Sequence, residues 1–280
     1  SYSTGPGASV GFGPGGGRRH SNAGYAGSFG TNGGNVSNAT YGNPSLVPLI
    51  GGSGGAGDPE FYSDRRGGGG GGGALLLAST GTIAIAGEIT ANGGAGKSYW
   101  YEDTGGGSGG GVRIVCDTLS GTGKLNALGG AGWSTGGLGR IRLERVNNSN
   151  TLSVVPDPSV IPLAATDTAL IWPPADAPQV KIISIGNQTI PADPRATFDA
   201  NGPDAAIAET SSTQAVIETT NVEQASVVKV RLTPRSNADA TEVTATVSST
   251  VSTTPLVLRW TATLPVNAGY SAVQVKVVRP

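Results

Sequence analysis

The chain has 280 residues, a formal net charge of −1, 47 glycines, one cysteine and no methionine. A single cysteine excludes a disulfide framework within the chain, and the balance of 18 Lys+Arg against 19 Asp+Glu argues against nucleic-acid binding through bulk charge. No apolar run approaches the roughly 20 residues that a membrane-spanning helix needs, so the sequence predicts no membrane span.

The chain starts at Ser1 rather than at a methionine. This start indicates either that a leader was removed or that the chain is a fragment. Low charge, a lone thiol and abundant Thr, Ser, Asn and Gly favour a secreted protein, located outside the cell or on its surface.

Glycine is distributed very unevenly along the chain. All glycines except Gly186, Gly202 and Gly269 precede residue 140. The sequence therefore predicts a glycine-rich N-terminal domain over residues 1–146, a proline-rich connector over 147–178 and a third region over 179–280.

The first of these regions contains repeated strand-like units. Apolar runs follow the glycine tracts 67–73 and 105–111, and each unit closes on Gly-Gly-Ala-Gly, at residues 93–96 and again 36 residues later at 129–132. Such repeats predict stacked β-coils, that is, a β-solenoid-like domain. The glycine tracts suit extended three-residue-per-turn helices of the polyglycine-II type, because glycine lets neighbouring backbones approach closely.

The connector and the third region also predict extended structure. Pro156, Pro158, Pro162, Pro173, Pro174 and Pro178 disfavour helices in the connector. Residues 179–280 alternate apolar and polar side chains with a β-branched bias, as in 228–232 and 256–264. This pattern predicts about seven strands and an immunoglobulin-like or fibronectin-III-like β-sandwich. Trp260 is expected in its core. The predicted fold class is thus all-β throughout.

Several segments resemble a known group of proteins. The runs GGGALLLAS, GTIAIAGEITANGGAG, GGGVRIVCDTLSGTGKLNALGGAG and GGLGRIRLE, with the earlier YGNPSLVPLIGGSGGAG, are similar to the repeat units of large glycine-rich bacterial extracellular and surface proteins. The resemblance covers about residues 10–146. It implies repeated glycine-rich β-strand units, to which β-sandwich modules are often attached, and a role at the cell surface.

Few residues point to catalysis or cofactor chemistry. His20 is the only histidine, which excludes a multi-histidine metal site within the chain. Cys116 shares a strand face with Val112 and Ile114, so we expect it buried and unreactive. We therefore expect no catalytic, metal or cofactor residues. Two alternatives stay open: calcium at the carboxylates of Asp58, Glu60, Asp64, Glu102 and Asp103, and a carbohydrate-active enzyme on a solenoid face.

Aromatic residues in the glycine-rich loops are the candidate functional residues. As an assembly interface we expect Tyr25, Phe29, Tyr41, Phe61, Tyr62, Tyr99, Trp100 and Trp133. The leading interpretation is a secreted, non-enzymatic structural protein whose partners are copies of itself, in a filament, appendage or surface layer. The alternative is an adhesin or a phage-tail-like module that binds receptors or surface glycans.

Overall fold

A computed structural model describes residues 10–20, 23–36, 39–58, 67–97, 103–192, 194, 202–235 and 239–280. Over these residues the protein contains strands, turns and extended segments and no helix, which confirms the all-β prediction. The chain divides into two compact units, Ser1–Pro173 (unit 1) and Pro174–Pro280 (unit 2).

Ten strands form in the described part of unit 1. They are β1 (Arg19–His20), β2 (Ala23–Gly24), β3 (Ala74–Ala78), β4 (Thr82–Ala84), β5 (Glu88–Thr90), β6 (Gly111–Gly121), β7 (Lys124–Asn126), β8 (Arg140–Asn150), β9 (Ser153–Val155) and β10 (Ser159–Pro162).

Three stretches of unit 1 lie one above another with their strands in parallel. We call them layer 1 (residues 67–97), layer 2 (103–132) and layer 3 (134–155). Strands β3 and β4 pair with β6, which pairs with β8, and β5 pairs with β7, which pairs with β9. Strand β10 then adds to the free side of β8, also in parallel. The two Gly-Gly-Ala-Gly segments lie on each other, since the Gly93 and Gly96 N–H groups donate to Leu128 and Ala131.

An apolar column fills the space between the strands of these layers. Its buried members are Ile85, Ala91, Val112, Ile114, Cys116, Leu119, Leu125, Ala127, Ile141 and Leu143. Cys116 is 3% exposed, and burial is the main cause that raises the pKa of its thiol. The expectation that Cys116 is buried is confirmed.

Beyond the strands, the glycine-rich segments are held by backbone hydrogen bonds with a period of three residues. The segment 105–110 is surrounded by six others. The N–H groups of residues 105 and 108 donate to the segment 53–56, those of 106 and 109 to 134–137, and those of 107 and 110 to 91–94. The carbonyl groups of the same segment accept from 69–72, from Gly27 and from Gly130. Three residues per repeat is the period of an extended left-handed helix, in which successive residues face three directions.

Glycine is required along these segments because the backbones touch. A Cβ on Gly107 would lie 2.0 Å from the Gly70 carbonyl oxygen, and one on Gly106 would lie 2.0 Å from that of Gly130. Real Cβ atoms do not approach oxygen so closely, so any larger residue must push two segments apart. The glycine content of these segments therefore follows directly from their packing.

Unit 2 contains eight strands in two sheets. They are β11 (Gln179–Ile185), β12 (Gln188–Thr189), β13 (Ser212–Thr220), β14 (Val227–Pro234), β15 (Thr241–Thr244), β16 (Thr246–Thr253), β17 (Leu256–Pro265) and β18 (Ser271–Val278). One sheet has the order β12-β11-β13-β17-β16 and the other β15-β14-β18, and all pairs are antiparallel.

Alternation of side chains gives unit 2 a core between its two sheets. Val228, Val230 and Leu232 from β14 face Leu258 and Trp260 from β17 in one buried cluster. Trp260 is 3% exposed and its indole N–H donates to the Thr219 hydroxyl at 2.8 Å. The expectation that Trp260 belongs to the core is confirmed. Strand β18 pairs with β14 of its own unit.

Two parts of the chain differ from the sequence-based boundaries. Residues 147–162, expected in the connector, extend β8 to Asn150 and supply β9 and β10, because prolines are tolerated at strand ends and on edge strands. The alternating run around residues 242–247 is split at Ala245, and β15 and β16 join different sheets. Alternation alone does not show where a chain crosses from one sheet to the other.

Candidate functional site

Two of the expected interface aromatics lie in the interior of unit 1. Phe29 and Tyr41 are buried, with ring centroids 4.9 Å apart, and the Arg140 guanidinium lies 5.6 Å from the centre of the Phe29 ring. The Tyr41 hydroxyl donates to the Gly51 carbonyl at 2.6 Å and accepts from Ser53 at 2.8 Å. These rings anchor the loop 39–51 within the chain, and they do not present a surface.

Tyr25 and Trp133 form an aromatic pair on the surface. Their rings are stacked, with centroids 5.8 Å apart and planes within 4°, and Trp133 is 39% exposed. The Trp133 N–H lies within hydrogen-bond distance of the carbonyls of Lys97 and Thr104, at 3.3 and 3.2 Å. Tyr25 is fixed by its own N–H, which donates to Arg18 at 2.8 Å. Backbone contacts from three chain segments thus position this aromatic pair. The expected interface residues Phe61, Tyr62, Tyr99 and Trp100 lie outside the described residues.

Two carboxylates lie near one another at the same end of the glycine segments. The Asp103 carbonyl accepts from Gly24, next to Tyr25, at 2.8 Å. Burial raises the pKa of Asp103, and the negative charge of Asp58 raises it further. Asp58 is 6% exposed. The two residues are far apart in the sequence, so no local pattern could bring them together. In the described ranges, no group of three or more His, Cys, Asp or Glu side chains is placed to hold a metal ion.

A buried ionic cluster links β6 and β8 on the side of the sheet away from the apolar column. The Glu144 carboxylate accepts from Arg113 at 2.8 Å and from Arg142 at 2.6 Å, and the Arg113 guanidinium also donates to the Leu170 carbonyl at 2.6 Å. Arg113 and Glu144 are 2% and 4% exposed. Burial by itself raises the pKa of Glu144, but the hydrogen bonds from Arg113 and Arg142 lower it overall. Arg113 and Glu144 are shielded from solvent and the Arg142 side chain is 17% exposed, so the cluster ties β6 to β8 at the edge of the interior.

The strands of layer 1 form an open edge. Ser79 donates to Val115, Ile85 to Ser120 and Ala91 to Asn126, so these strands turn alternate backbone groups toward layer 2. The remaining residues direct their N–H and C=O groups away from it. They are Ala74, Leu76, Ala78, Thr82, Ala84, Glu88 and Thr90. Among the described residues none of the seven has a backbone partner on its free side. We call this set the layer 1 edge.

Sequence reasoning predicted the aromatic surface residues only in part and did not predict the layer 1 edge. The only available signal in the sequence was the presence of aromatic residues in glycine-rich loops. This signal does not distinguish Tyr25 and Trp133 from the buried Phe29 and Tyr41. The order of the layers decides which strands lie at an edge, and that order depends on pairing between distant segments.

Comparison of the chain with protein-family profiles, with curated proteins and with solved structures finds no match. Over the residues that the structure describes, no helix has the length and apolar character needed to cross a bilayer.

Proposed function

We propose that this chain is a self-associating extracellular structural protein, a subunit of a filament, appendage or surface layer whose partners are copies of itself. In this proposal the three layers of unit 1 are a short β-solenoid flanked by a bundle of polyglycine-II-type helices. Unit 2 is an immunoglobulin-like sandwich that decorates or locks the assembly. The chain carries no reaction, and its place is outside the cell.

The observation that supports this proposal is the layer 1 edge. Stacked repeat units normally end in a polar or otherwise protected cap, because a free edge offers unpaired backbone groups to any second strand. The layer 1 edge has seven residues whose outward backbone groups find no partner in the part of the chain that the structure describes, and Glu88 is the only charged residue among the seven. The glycine segments, in contrast, find their neighbours within one chain. The open edge therefore supports self-association, the first step of such an assembly.

Electron microscopy and sedimentation of the purified chain test the proposal. We expect particles that grow with concentration, and unit 2 (residues 174–280) prepared alone should stay monomeric under the same conditions. A chain that remains a single monodisperse monomer up to high concentration, with unit 1 folded, would refute self-association.

A second candidate function is recognition of a surface glycan. The stacked and partly exposed Tyr25–Trp133 pair favours it, because sugar rings pack on flat aromatic faces and the backbone contacts hold these rings in place. A glycan array probed with the wild-type chain and with Trp133→Ala tests this function. Trp172→Ala is the matched control, since Trp172 is 74% exposed. Binding that is equal in both variants, or absent from the wild type, removes this candidate.

A further inference from the structure

We propose that the layer 1 edge is a two-fold interface, at which the layer 1 edge of a second copy pairs with it in antiparallel fashion. This inference rests on the proposed self-association and names the surface that begins it. Three independent observations at layer 1 carry it: the free backbone groups described above, an incompletely covered apolar column, and glycines that the chain itself does not require.

The apolar column is covered in layer 2 but not in layer 1. Val112, Ile114 and Leu125 of layer 2 are fully buried. Their parallel neighbours in layer 1 are Leu75, Leu77 and Ile89, and none of the three is fully buried. Leu75 is 36% exposed. The apolar side chains at the layer 1 end of the column are thus left partly exposed. Such an uncovered end is expected where a core continues into a partner.

Two glycines of layer 1 occupy positions at which the described packing would accommodate a larger residue. Within the described ranges a Cβ on Gly73 or Gly87 would meet nothing within 4 Å, and neither residue has a positive φ. In layer 2 the comparable glycines are fully enclosed: a Cβ on Gly110 would lie 1.8 Å from the Gly73 carbonyl oxygen, and one on Gly123 would lie 2.1 Å from that of Gly87. Glycine in an extended segment is destabilising relative to alanine, because it loses more conformational freedom on folding. A second backbone lying close to layer 1 explains why glycine, and not alanine, is present at these two positions.

The opposite edge of the stack is a poor match for the layer 1 edge. That edge comprises β9, residues 147–150 of β8, and β10. In β10 Leu163 donates to Arg145, so Val160 and Pro162 turn their backbone groups outward. Pro162 has no N–H to donate, and prolines 156 and 158 precede the strand. Edge prolines of this kind block continued pairing.

The layer 1 edge, in contrast, matches itself. It contains no proline and no cation, and its only charge, Glu88, accepts a hydrogen bond from the Asn126 side chain at 2.6 Å. Two copies therefore meet without a concentrated like-charge repulsion. A surface that pairs with its own copy forms a closed two-fold dimer, the commonest symmetry of homo-oligomers. A second copy joined through the same edge is thus the occupant that the chemistry favours.

Sedimentation of two edge variants and one control tests this inference. Ala84→Lys places a cation on the layer 1 edge, and Gly73→Leu fills the space that a second backbone would occupy. Ser159→Lys is the control, because Ser159 is exposed on β10 at the opposite edge. We expect the two edge variants to raise the dimer dissociation constant about tenfold or more, because they introduce like-charge or steric conflict. The control should dimerise as the wild type does.

Hydrogen exchange of the wild type locates the interface independently of any variant. In the dimer we expect new protection at the amides of Ala74, Leu76 and Ala78, and none at Val160. Protection at both edges would show head-to-tail stacking and would overturn the two-fold inference, as would edge variants that dimerise normally.

Polymers that persist in the edge variants refute this interface but leave the proposed function standing. Dimers that never grow further refute the proposed function but leave the interface standing.

Discussion

At the scale of single residues, the most informative side chain is Glu144, which is 4% exposed and lies between two arginines. Removing one member of a buried ion cluster leaves the remaining charges without compensation. We expect Glu144→Leu to lower the free energy of unfolding of unit 1 by about 3–5 kcal/mol. Denaturant unfolding followed by circular dichroism measures the change.

The pH dependence of the same variant provides a second test. The pKa of Glu144 in the folded protein is lower than its ordinary value of 4.5. Its stabilising contribution is therefore fully present above about pH 4.5, and it is lost as the pH falls through the lowered pKa. Glu144→Leu should lose this part of the acid sensitivity. Asp157→Asn, at an exposed carboxylate away from the layer 1 edge, is the control and should change stability little. A variant that unfolds in acid as the wild type does would contradict the role given to Glu144.

The reactivity of the Cys116 thiol tests whether the apolar column is closed to solvent. Its thiol is buried among the inward side chains of layer 2, and burial raises its pKa, so both access and thiolate fraction are low. We expect a thiol reagent to label the native protein slowly and the denatured protein at once. Rapid labelling of the native chain would mean that the column opens readily.

At the scale of elements, the glycine segments differ from ordinary secondary structure because their contacts are made by backbone alone. Gly107→Ala places a methyl group 2.0 Å from a carbonyl oxygen, whereas Gly73→Ala places one in open space. We expect Gly107→Ala to destabilise unit 1 by about 1–3 kcal/mol, as overpacking of a rigid interior does. Gly73→Ala, the matched control, should leave the free energy of unfolding of the monomer unchanged or raise it slightly, because alanine has less conformational freedom than glycine in the unfolded chain. Equal effects on thermal unfolding would contradict the close packing of these segments.

At the scale of the whole molecule, the chain is two units with different sources of stability. Unit 2 has a core of its own, formed by its two sheets. We expect residues 174–280 expressed alone to give a dispersed NMR spectrum and a cooperative thermal transition. The same transition should be found in the full chain. A disordered fragment would show that unit 2 depends on unit 1.

Side-chain patterns explain how much of this organisation the sequence could predict. Alternation in residues 228–232 and 256–264 predicted strands of unit 2. The 36-residue spacing of the Gly-Gly-Ala-Gly segments predicted that the units containing them stack on each other. The neighbours of 105–110 could not be predicted, because glycines have no side chains to show which faces are buried. Arg113 and Glu144 were missed as well, since charged residues in a strand ordinarily indicate a solvent-facing side. In the site, aromatic composition identified Tyr25 and Trp133 but could not tell them from Phe29 and Tyr41.

The three-residue period of the glycine segments restricts how this chain can change in length. Each residue of 105–110 faces a different neighbour from the next, so inserting one residue turns every later amide by a third of a turn, toward the wrong acceptor. Inserting three residues moves the segment along by one full turn, about 9 Å, and keeps every amide in phase. Evolution and engineering can therefore lengthen or shorten this half of the protein in steps of three, much as heptads set the permitted steps in a coiled coil.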